Sequence, residues 1–254
     1  MSYSDIEHYS TMITGCESIT HGNHKSPDGR YALTVLQLHA GDAGLYAGQE
    51  GFLDHIKKGA KTLKKWFLEF LKAIGGFIDH LTGQNKRIKE LEQEIERKKK
   101  EAKADKEQAD ALEEKLTVLF NSVFSEPQRL SEQVYEAIGA TGYLDSNAFE
   151  ALNVSNMRIH SGYESIKQLI YASKHDAPDT KEISRELADM TKGINALAFM
   201  SKKEVSSWAE EDEQEAQRRD IAAASYLLKN YSKVLKWYTE ALESYTSKAV
   251  EVKA

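Results

Sequence analysis

The fold class is decided by the stretch GFLDHIKKGAKTLKKWFLEFLKAIGGFIDHL (residues 51–81) and its continuation RIKELEQEIERKKKEAKADKEQADALEEKLTVLF (residues 87–120). Steps of three and four residues alternate without interruption, and only three positions in the series are not apolar. The series is Leu53, Ile56, Ala60, Leu63, Phe67, Phe70, Ile74, Phe77, Leu81, Gln84, Ile88, Leu91, Ile95, Lys98, Ala102, Asp105, Ala109, Leu112, Leu116, Leu119 and Val123. A period of 3.5 residues over about ten heptads is typical of a coiled coil. The pattern predicts one long helix.

A second series of the same period occupies the C-terminal part of the chain. It consists of Ile221, Ala224, Leu228, Tyr231, Leu235, Tyr238, Leu242, Tyr245, Ala249 and Val252. We expect the last helix to begin near Ser201 and to pack antiparallel to the N-terminal long helix. Three tyrosines in the series indicate a wide interface with hydroxyls at its edge.

Composition agrees with an all-α protein. Three prolines in 254 residues are few, and proline is the residue that most disrupts a helix interior. The expected architecture is an elongated helical bundle with long coiled-coil-like N- and C-terminal helices. The formal net charge of −6 gives no global attraction to nucleic acid. The single cysteine, Cys16, excludes an internal disulfide and favours a reducing compartment.

Signals that start and end helices divide the sequence into four segments. Residues 1–50 form a helical leader with a net charge of −4, and residues 51–124 form the long helix. Ser125-Glu126-Pro127 ends that helix, because a proline disfavours helical geometry in the residue before it. Residues 125–200 form a bundle of short helices, one of which starts at Pro178-Asp179-Thr180. Residues 201–254 form the C-terminal long helix.

The beginning of the long helix combines lysines with an apolar, aromatic face. Six lysines and one acid lie between Lys57 and Lys72. The residues that define this face are Phe52, Ile56, Lys57, Lys61, Lys65, Trp66, Phe67, Phe70 and Ile74. Such a helix can lie on an anionic membrane surface. The alternative is that its aromatic stripe packs against another helix and its lysines are solvated.

Catalytic and metal-binding signatures are missing from the sequence. The chain has no Walker loop, no GxSxG, no HExxH and no CxxC motif. His21 and His24 straddle a turn without a cysteine nearby, which favours surface histidines over a metal site. The basic run Arg97–Lys100 is flanked by glutamates and makes only a weak case for nucleic acid. We expect no enzyme activity, no cofactor, no secretory signal and no membrane-spanning segment.

The junction before the long helix carries a resemblance. Ala47-Gly48-Gln49-Glu50, followed by Gly51, resembles the motif that prohead proteases of large tailed bacteriophages cut after glutamate, with Gly48 in the small-residue position. A short leader, a cut after Glu50 and then a GFLDxIKK helix resemble internal head proteins of those phages. The resemblance covers residues 41–81. It implies a non-enzymatic protein whose leader is removed in the head and whose mature part is packaged with the genome and injected into the host.

That resemblance implies the partners and the location. The partners are the prohead protease and capsid or other virion proteins, and the location is the virion interior, then the host cytoplasm. Coiled-coil series also make self-association available. Two alternatives stay open: a membrane-active helical protein similar to pore formers, or a cytoplasmic coiled-coil scaffold or host-factor inhibitor.

Overall fold

The computed structural model describes residues 3–42, 60–103, 105–143, 153–173, 178–208 and 215–252. Within these ranges the chain is 93% helical, with seven helices and no strand, so the all-α prediction is confirmed. The helices are α1 (Tyr3–Thr20), α2 (Pro27–Asp42), α3 (Ala60–Ala102), α4 (Lys106–Thr141), α5 (Asn153–Ala172), α6 (Thr180–Ser207) and α7 (Glu215–Glu251).

The chain divides into two compact units that do not follow the four sequence segments. One unit contains Met1–Phe77, Ser146–Asn153 and Leu197–Asn230, and is called the leader unit below. The other contains Ile78–Asp145, Val154–Ala196 and Tyr231–Ala254, and is called the five-helix unit. Helices α3, α6 and α7 are long, and each contributes residues to both units.

Helices α3 and α7 run parallel in the five-helix unit, so the predicted antiparallel packing is wrong. The Gln84 amide donates to the Glu243 carboxylate over 3.1 Å. Fourteen residues further along α3, the Lys98 ammonium donates to the carbonyls of Val250 and Val252. Contacts that advance together along both helices require parallel axes. The two long helices therefore contact each other within one chain.

The other helices of this unit alternate in direction. Along α4 and α7 the ring contacts Phe120–Tyr245 and Tyr135–Tyr231 run in opposite directions, so α4 is antiparallel to α7. Along α5, His160 and Tyr163 meet Tyr135, whereas Ser173 accepts a hydrogen bond from Asn121. The contacts between α5 and α6, and those between α6 and α3, also advance along one helix while they retreat along the other. Helix α6 is therefore antiparallel to both α5 and α3. The topology is up-and-down, in which short connections join antiparallel neighbours.

The predicted helix over residues 51–124 is interrupted after Ala102. Asp105 is extended (φ −126°, ψ 117°), and its carboxylate accepts from the backbone N–H groups of Glu107 and Gln108. Asp105 is therefore the N-cap of α4, a role that short acidic side chains fill well, and the sequence series had assigned it to the buried seam. After the break the predicted series is still buried at Leu112 and Leu116. Further along α4 the burial departs from it, because Phe120 and Phe124 are buried whereas Leu119 and Val123 are partly exposed.

Pro127 does not end a helix, contrary to the prediction from Ser125-Glu126-Pro127. Helix α4 continues through it to Thr141 and is closed by Gly142, whose φ of 71° is a left-handed conformation that suits glycine. Proline inside a helix costs about 3 kcal/mol. Burial of Tyr135 and Ile138 beyond it offsets that cost, since each fully buried large side chain contributes about 1.5–3 kcal/mol.

Helix α7 has the burial that its sequence predicts. Every position of the C-terminal series from Ile221 to Ala249 is buried, and only Val252 is partly exposed. The expected tyrosine geometry is wrong, however, because Tyr231, Tyr238 and Tyr245 are buried whole rather than reaching the edge. The last helix also begins at Glu215, not near Ser201, which belongs to α6. The predicted start of α6 is confirmed, with Asp179 accepting from the Glu182 N–H.

Candidate functional site

The structure describes only part of the predicted site. The processing residues Ala47, Gly48, Glu50 and Gly51 lie outside the described residues, as do Phe52, Ile56 and Lys57 and the side chain of Lys61. Of the remaining face residues, Lys65 is exposed and Trp66 is partly buried. Phe67, Phe70 and Ile74 have no exposed surface. In the intact chain, Phe67 and Phe70 of the α3 face are therefore packed rather than presented to solvent.

Helix α1 is one of the elements that cover this part of the protein. The Tyr3 ring lies 5.8 Å from the Phe77 ring of α3. The Tyr3 hydroxyl donates to the Lys229 carbonyl of α7 over 3.3 Å, and the Ser10 hydroxyl donates to the Ser225 carbonyl over 3.4 Å. As positions advance along α1 they retreat along α7, so the two helices are antiparallel. The leader segment is thus an integral part of the core of its unit.

The covered segment of α7 is surrounded on every side. Five consecutive residues, Ile221 to Ser225, are buried, although one and a half helical turns point them in all directions. Three of the five are alanines, and small side chains allow neighbouring helices to approach closely. A helix that is buried all round loses its environment on one side if a covering helix leaves.

Helices α1 and α2 are clamped to each other at Gly15. A methyl group at this position would overlap the Asp28 carbonyl oxygen and would lie 2.7 Å from the Ala32 Cβ. The Thr14 hydroxyl donates to the Asp28 carboxylate over 2.7 Å. Nearby, the His8 ring is hydrogen-bonded to the Tyr31 hydroxyl over 2.7 Å. The two helices form a hairpin whose close crossing only glycine permits.

Helix α1 and the first part of α3 have opposite charge. Residues 3–20 contain three acids and neither lysine nor arginine. The described lysine side chains in the first part of α3 are Lys64, Lys65 and Lys72; Lys64 donates to the Trp208 carbonyl and Lys72 pairs with Glu69. The sequence did not predict that α1 belongs to the same unit as this part of α3. The acidic helix α1 thus lies in the unit that contains the lysine-rich beginning of α3.

Cys16 confirms how closely α1 is packed. Its side chain is buried, and burial, with a smaller effect of Glu17, raises the pKa of the thiol to about 12. Burial also raises the pKa of Tyr3, assisted by Glu7. A thiol in this environment is unreactive at neutral pH, because the thiolate is the reactive form. The reactivity of Cys16 therefore reports whether the packing around α1 is intact.

The five-helix unit contains a separate cluster of buried tyrosines. Tyr135 and Tyr163 stack in parallel with ring centroids 3.6 Å apart, and the Tyr231 ring lies 5.9 Å from Tyr135. Burial is the main cause that raises the pKa of Tyr135, Tyr231 and Tyr238; for Tyr238 the Ser131 hydroxyl offsets part of the rise. These tyrosines are neutral packing residues at physiological pH.

One carboxylate is buried in the same unit. Glu92 of α3 exposes 6% of its surface and accepts a hydrogen bond from the Ser184 hydroxyl of α6 over 2.8 Å. Burial raises the pKa of Glu92, whereas Ser184, Thr180, Lys181 and Lys89 oppose the rise. Its partners belong to the first turns of α6, so Glu92 holds α3 and α6 together.

A surface groove of about 480 Å³ lies between α4 and α5. It is lined by Asn121, Ser125, Gln128, Arg129, Glu132 and Ile170. The Arg129 guanidinium is paired with the exposed Glu126 carboxylate over 2.7 Å, and this pairing lowers the pKa of Glu126. The groove is open, and its charged groups already have partners within the chain.

The described residues contain no group of three or more histidine, cysteine or acidic side chains placed to hold a metal ion. His21 is paired with Glu17 over 2.9 Å on the surface of α1 and its following turn. None of the described helices has a stretch that is long and apolar enough to cross a bilayer.

No protein family, no curated protein and no solved structure matches this chain.

Proposed function

We propose that this chain is a non-enzymatic virion protein, packaged inside the head of a large tailed bacteriophage and matured by cleavage after Glu50. The observation that carries the proposal is the position of the motif Ala47–Glu50. It lies between the end of α2 at Asp42 and the start of α3 at Ala60. A cut there releases the complete α1–α2 hairpin and breaks no described helix.

The division of charge supports the same proposal. The leader carries −4 of the total charge of −6, so residues 51–254 carry −2. Removal of the leader brings the remaining protein close to neutrality, which reduces its repulsion from packaged DNA without making it a DNA condenser. The partners are the prohead protease and capsid or other virion proteins. The mature protein enters the host with the genome.

The proposal is tested by the intact mass and N-terminal sequence of the protein in purified particles. We expect a chain that begins at Gly51. A chain that keeps its first helix, beginning at Met1 or Ser2, would remove the proposal.

The cut position is tested by coexpression with the prohead protease of the same virus. We expect Glu50→Gln to block processing, because the protease recognises glutamate at the cut. Glu113→Gln is the matched control, since Glu113 is an exposed glutamate on α4, far from the motif in sequence. It should be processed like the parent. Equal processing of Glu50→Gln would show that the cut lies elsewhere.

The second candidate function is membrane activity, favoured by the lysines and aromatic residues of α3. In the intact chain Phe67 and Phe70 are buried, so this function requires the leader unit to open. The test is dye release from anionic vesicles by the mature protein and by a variant with its lysines replaced by glutamate. Equally weak release by both would exclude membrane activity. A coiled-coil scaffold or host-factor inhibitor, the third candidate, would stay uncut and would not bind vesicles.

A further inference from the structure

The core of the leader unit includes side chains of the α1–α2 hairpin. The rest of this unit consists mainly of residues 60–77 of α3, 197–207 of α6 and 215–230 of α7. Helix α1 adds five apolar side chains, each at most 6% exposed: Ile6, Met12, Ile13, Cys16 and Ile19. The five-helix unit, in contrast, contains no residue of the hairpin. Loss of the hairpin therefore removes core residues from one unit only.

One side of α1 contacts the remainder of the leader unit. Tyr3, Ile6, Ser10 and Ile13 follow one another in steps of three, four and three residues, which places them on one side of the helix. Tyr3 contacts the Phe77 ring of α3, and both Tyr3 and Ser10 donate to backbone carbonyls of α7. Ile6 and Ile13, on the same side, have no exposed surface. This side of α1 holds the hairpin in place.

Helix α2 packs on a different side of α1. The two helices cross at Gly15, which lies about 140° around α1 from Ser10. Among residues 27–38 of α2, only Gly29 and Ala32 are buried, and the Ala32 Cβ is one of the atoms that border Gly15. Leu38 exposes 67% of its surface. The hairpin is thus held together by one side of α1 and bound to its unit by another, so it can leave without unwinding.

The covalent connection determines how strongly the hairpin is held. Residues 43–59 join the end of α2 to the start of α3. A tether of this length supplies an effective concentration of the order of 1 mM. After a cut, docking depends on the free concentration, which at micromolar protein is lower by about a thousandfold. The cut weakens docking by about that factor without changing a single contact.

Undocking leaves residues of α7 without a neighbour on one side. Residues 221–225 are all buried, and the Ser225 carbonyl accepts from Ser10 of α1. Three of these five residues are alanines, whose side chains are too short to fill the space that a departing helix leaves. The remaining parts of α3, α6 and α7 then have to repack or to lose their fixed packing.

We propose that the α1–α2 hairpin is a removable part of the core, and that a cut between α2 and α3 opens the leader unit while the five-helix unit stays folded. Opening means that the parts of α3 and α7 in the leader unit lose protection against hydrogen exchange. This inference rests on the proposed cleavage after Glu50. It gives that cleavage a structural consequence: two packed units before the cut and one after it.

The experiment uses the full chain with a site-specific protease sequence inserted after Glu50, so that it does not depend on the viral protease. Intact and cut protein are passed through gel filtration at micromolar concentration, and hydrogen exchange is then measured by mass spectrometry. We expect the hairpin fragment to separate from the remainder. Exchange of residues 221–225 should accelerate at least about tenfold and at most by the thousandfold loss of effective concentration. Residues 78–102 and 231–251 should exchange as in the intact chain, and Cys16 should become reactive towards alkylation.

Two matched variants of the uncut chain separate docking from the cut itself. Ile13→Asp places a carboxylate on the buried side of α1, so it should reproduce the exchange pattern of the cut protein without any cut. Leu38→Asp makes the same kind of change at an exposed position of the hairpin and should leave exchange as in the parent. Ile13→Ser is a milder form of the first variant, and circular dichroism establishes the helix content of each.

Any of four results would overturn the inference: a hairpin that stays bound after the cut, unchanged exchange of residues 221–225 once it has left, loss of protection in the five-helix unit as well, or the same exchange pattern in Ile13→Asp and Leu38→Asp. Particles that contain only the uncut chain would remove the proposed maturation but not the result with the inserted site. Conversely, a leader unit that stays closed after the cut would leave a chain starting at Gly51 in particles unaffected.

Discussion

Replacing Gly15 with alanine tests the close crossing of α1 and α2. The added methyl group would overlap the Asp28 carbonyl oxygen and would lie 2.7 Å from the Ala32 Cβ, so one helix must move. Such overpacking costs about 1–3 kcal/mol, and the upper end applies because a backbone oxygen cannot rotate away. Alanine is about 1 kcal/mol better than glycine inside a helix. The expected net loss is therefore about 2 kcal/mol of unfolding free energy.

Gly75→Ala is the matched control for Gly15→Ala. Gly75 also lies inside a helix of the leader unit, but its added methyl group would meet no atom within 4 Å. Only the helix-propensity gain remains, so this variant should be about 1 kcal/mol more stable than the parent. The two variants should thus differ by about 3 kcal/mol.

Thermal and urea unfolding, followed by circular dichroism, measure this difference. With about 2–4 °C per kcal/mol for a chain of this size, Gly15→Ala should melt about 4–8 °C below the parent and Gly75→Ala about 2–4 °C above it. Alkylation of Cys16, the next residue, should accelerate in Gly15→Ala alone. If Gly15→Ala is as stable as Gly75→Ala and Cys16 remains protected, the close crossing does not exist.

Three further predictions concern the core. Phe70→Asp removes a fully buried ring and buries a carboxylate, so we expect a loss of at least about 4 kcal/mol; an unchanged melting temperature would contradict the packing of α3. Glu92→Gln keeps an acceptor for Ser184 but removes the buried charge. Because the folded protein raises the pKa of Glu92 above 4.5, the parent loses stability relative to this variant as pH rises from about 4.5 through the folded pKa. The variant's advantage in urea unfolding should be absent near about pH 4 and present near about pH 7; the same difference at both values would refute the burial of a charged Glu92. Pro127→Ala should raise the unfolding free energy by about 1–3 kcal/mol, because α4 regains a backbone donor and loses a ring clash, whereas a loss of stability would show that the proline relieves a local constraint.

The candidate site was only partly predictable from the sequence. Lysine spacing and aromatic residues identified the α3 face, since a helix repeats its faces every 3.6 residues. Whether that face is open or covered depends on a helix about 60 residues earlier in the sequence, and periodicity carries no information about such a partner. Gly15 gave no signal either, because a glycine required by a neighbouring helix looks the same as any other helical glycine.

The sequence by itself determined the helical class, the start of α6 and nearly the whole buried series of α7. These follow from local physics: the period of apolar residues, the cap at Asp179, and the scarcity of proline. Tertiary structure alone decided the reversal at Asp105, the passage of α4 through Pro127 and the parallel course of α3 and α7. The physical reason is that in each case a small local preference is opposed by the larger free energy of burying side chains against helices distant in sequence. The local sequence shows only the first of these, and the packed chain is needed for the second.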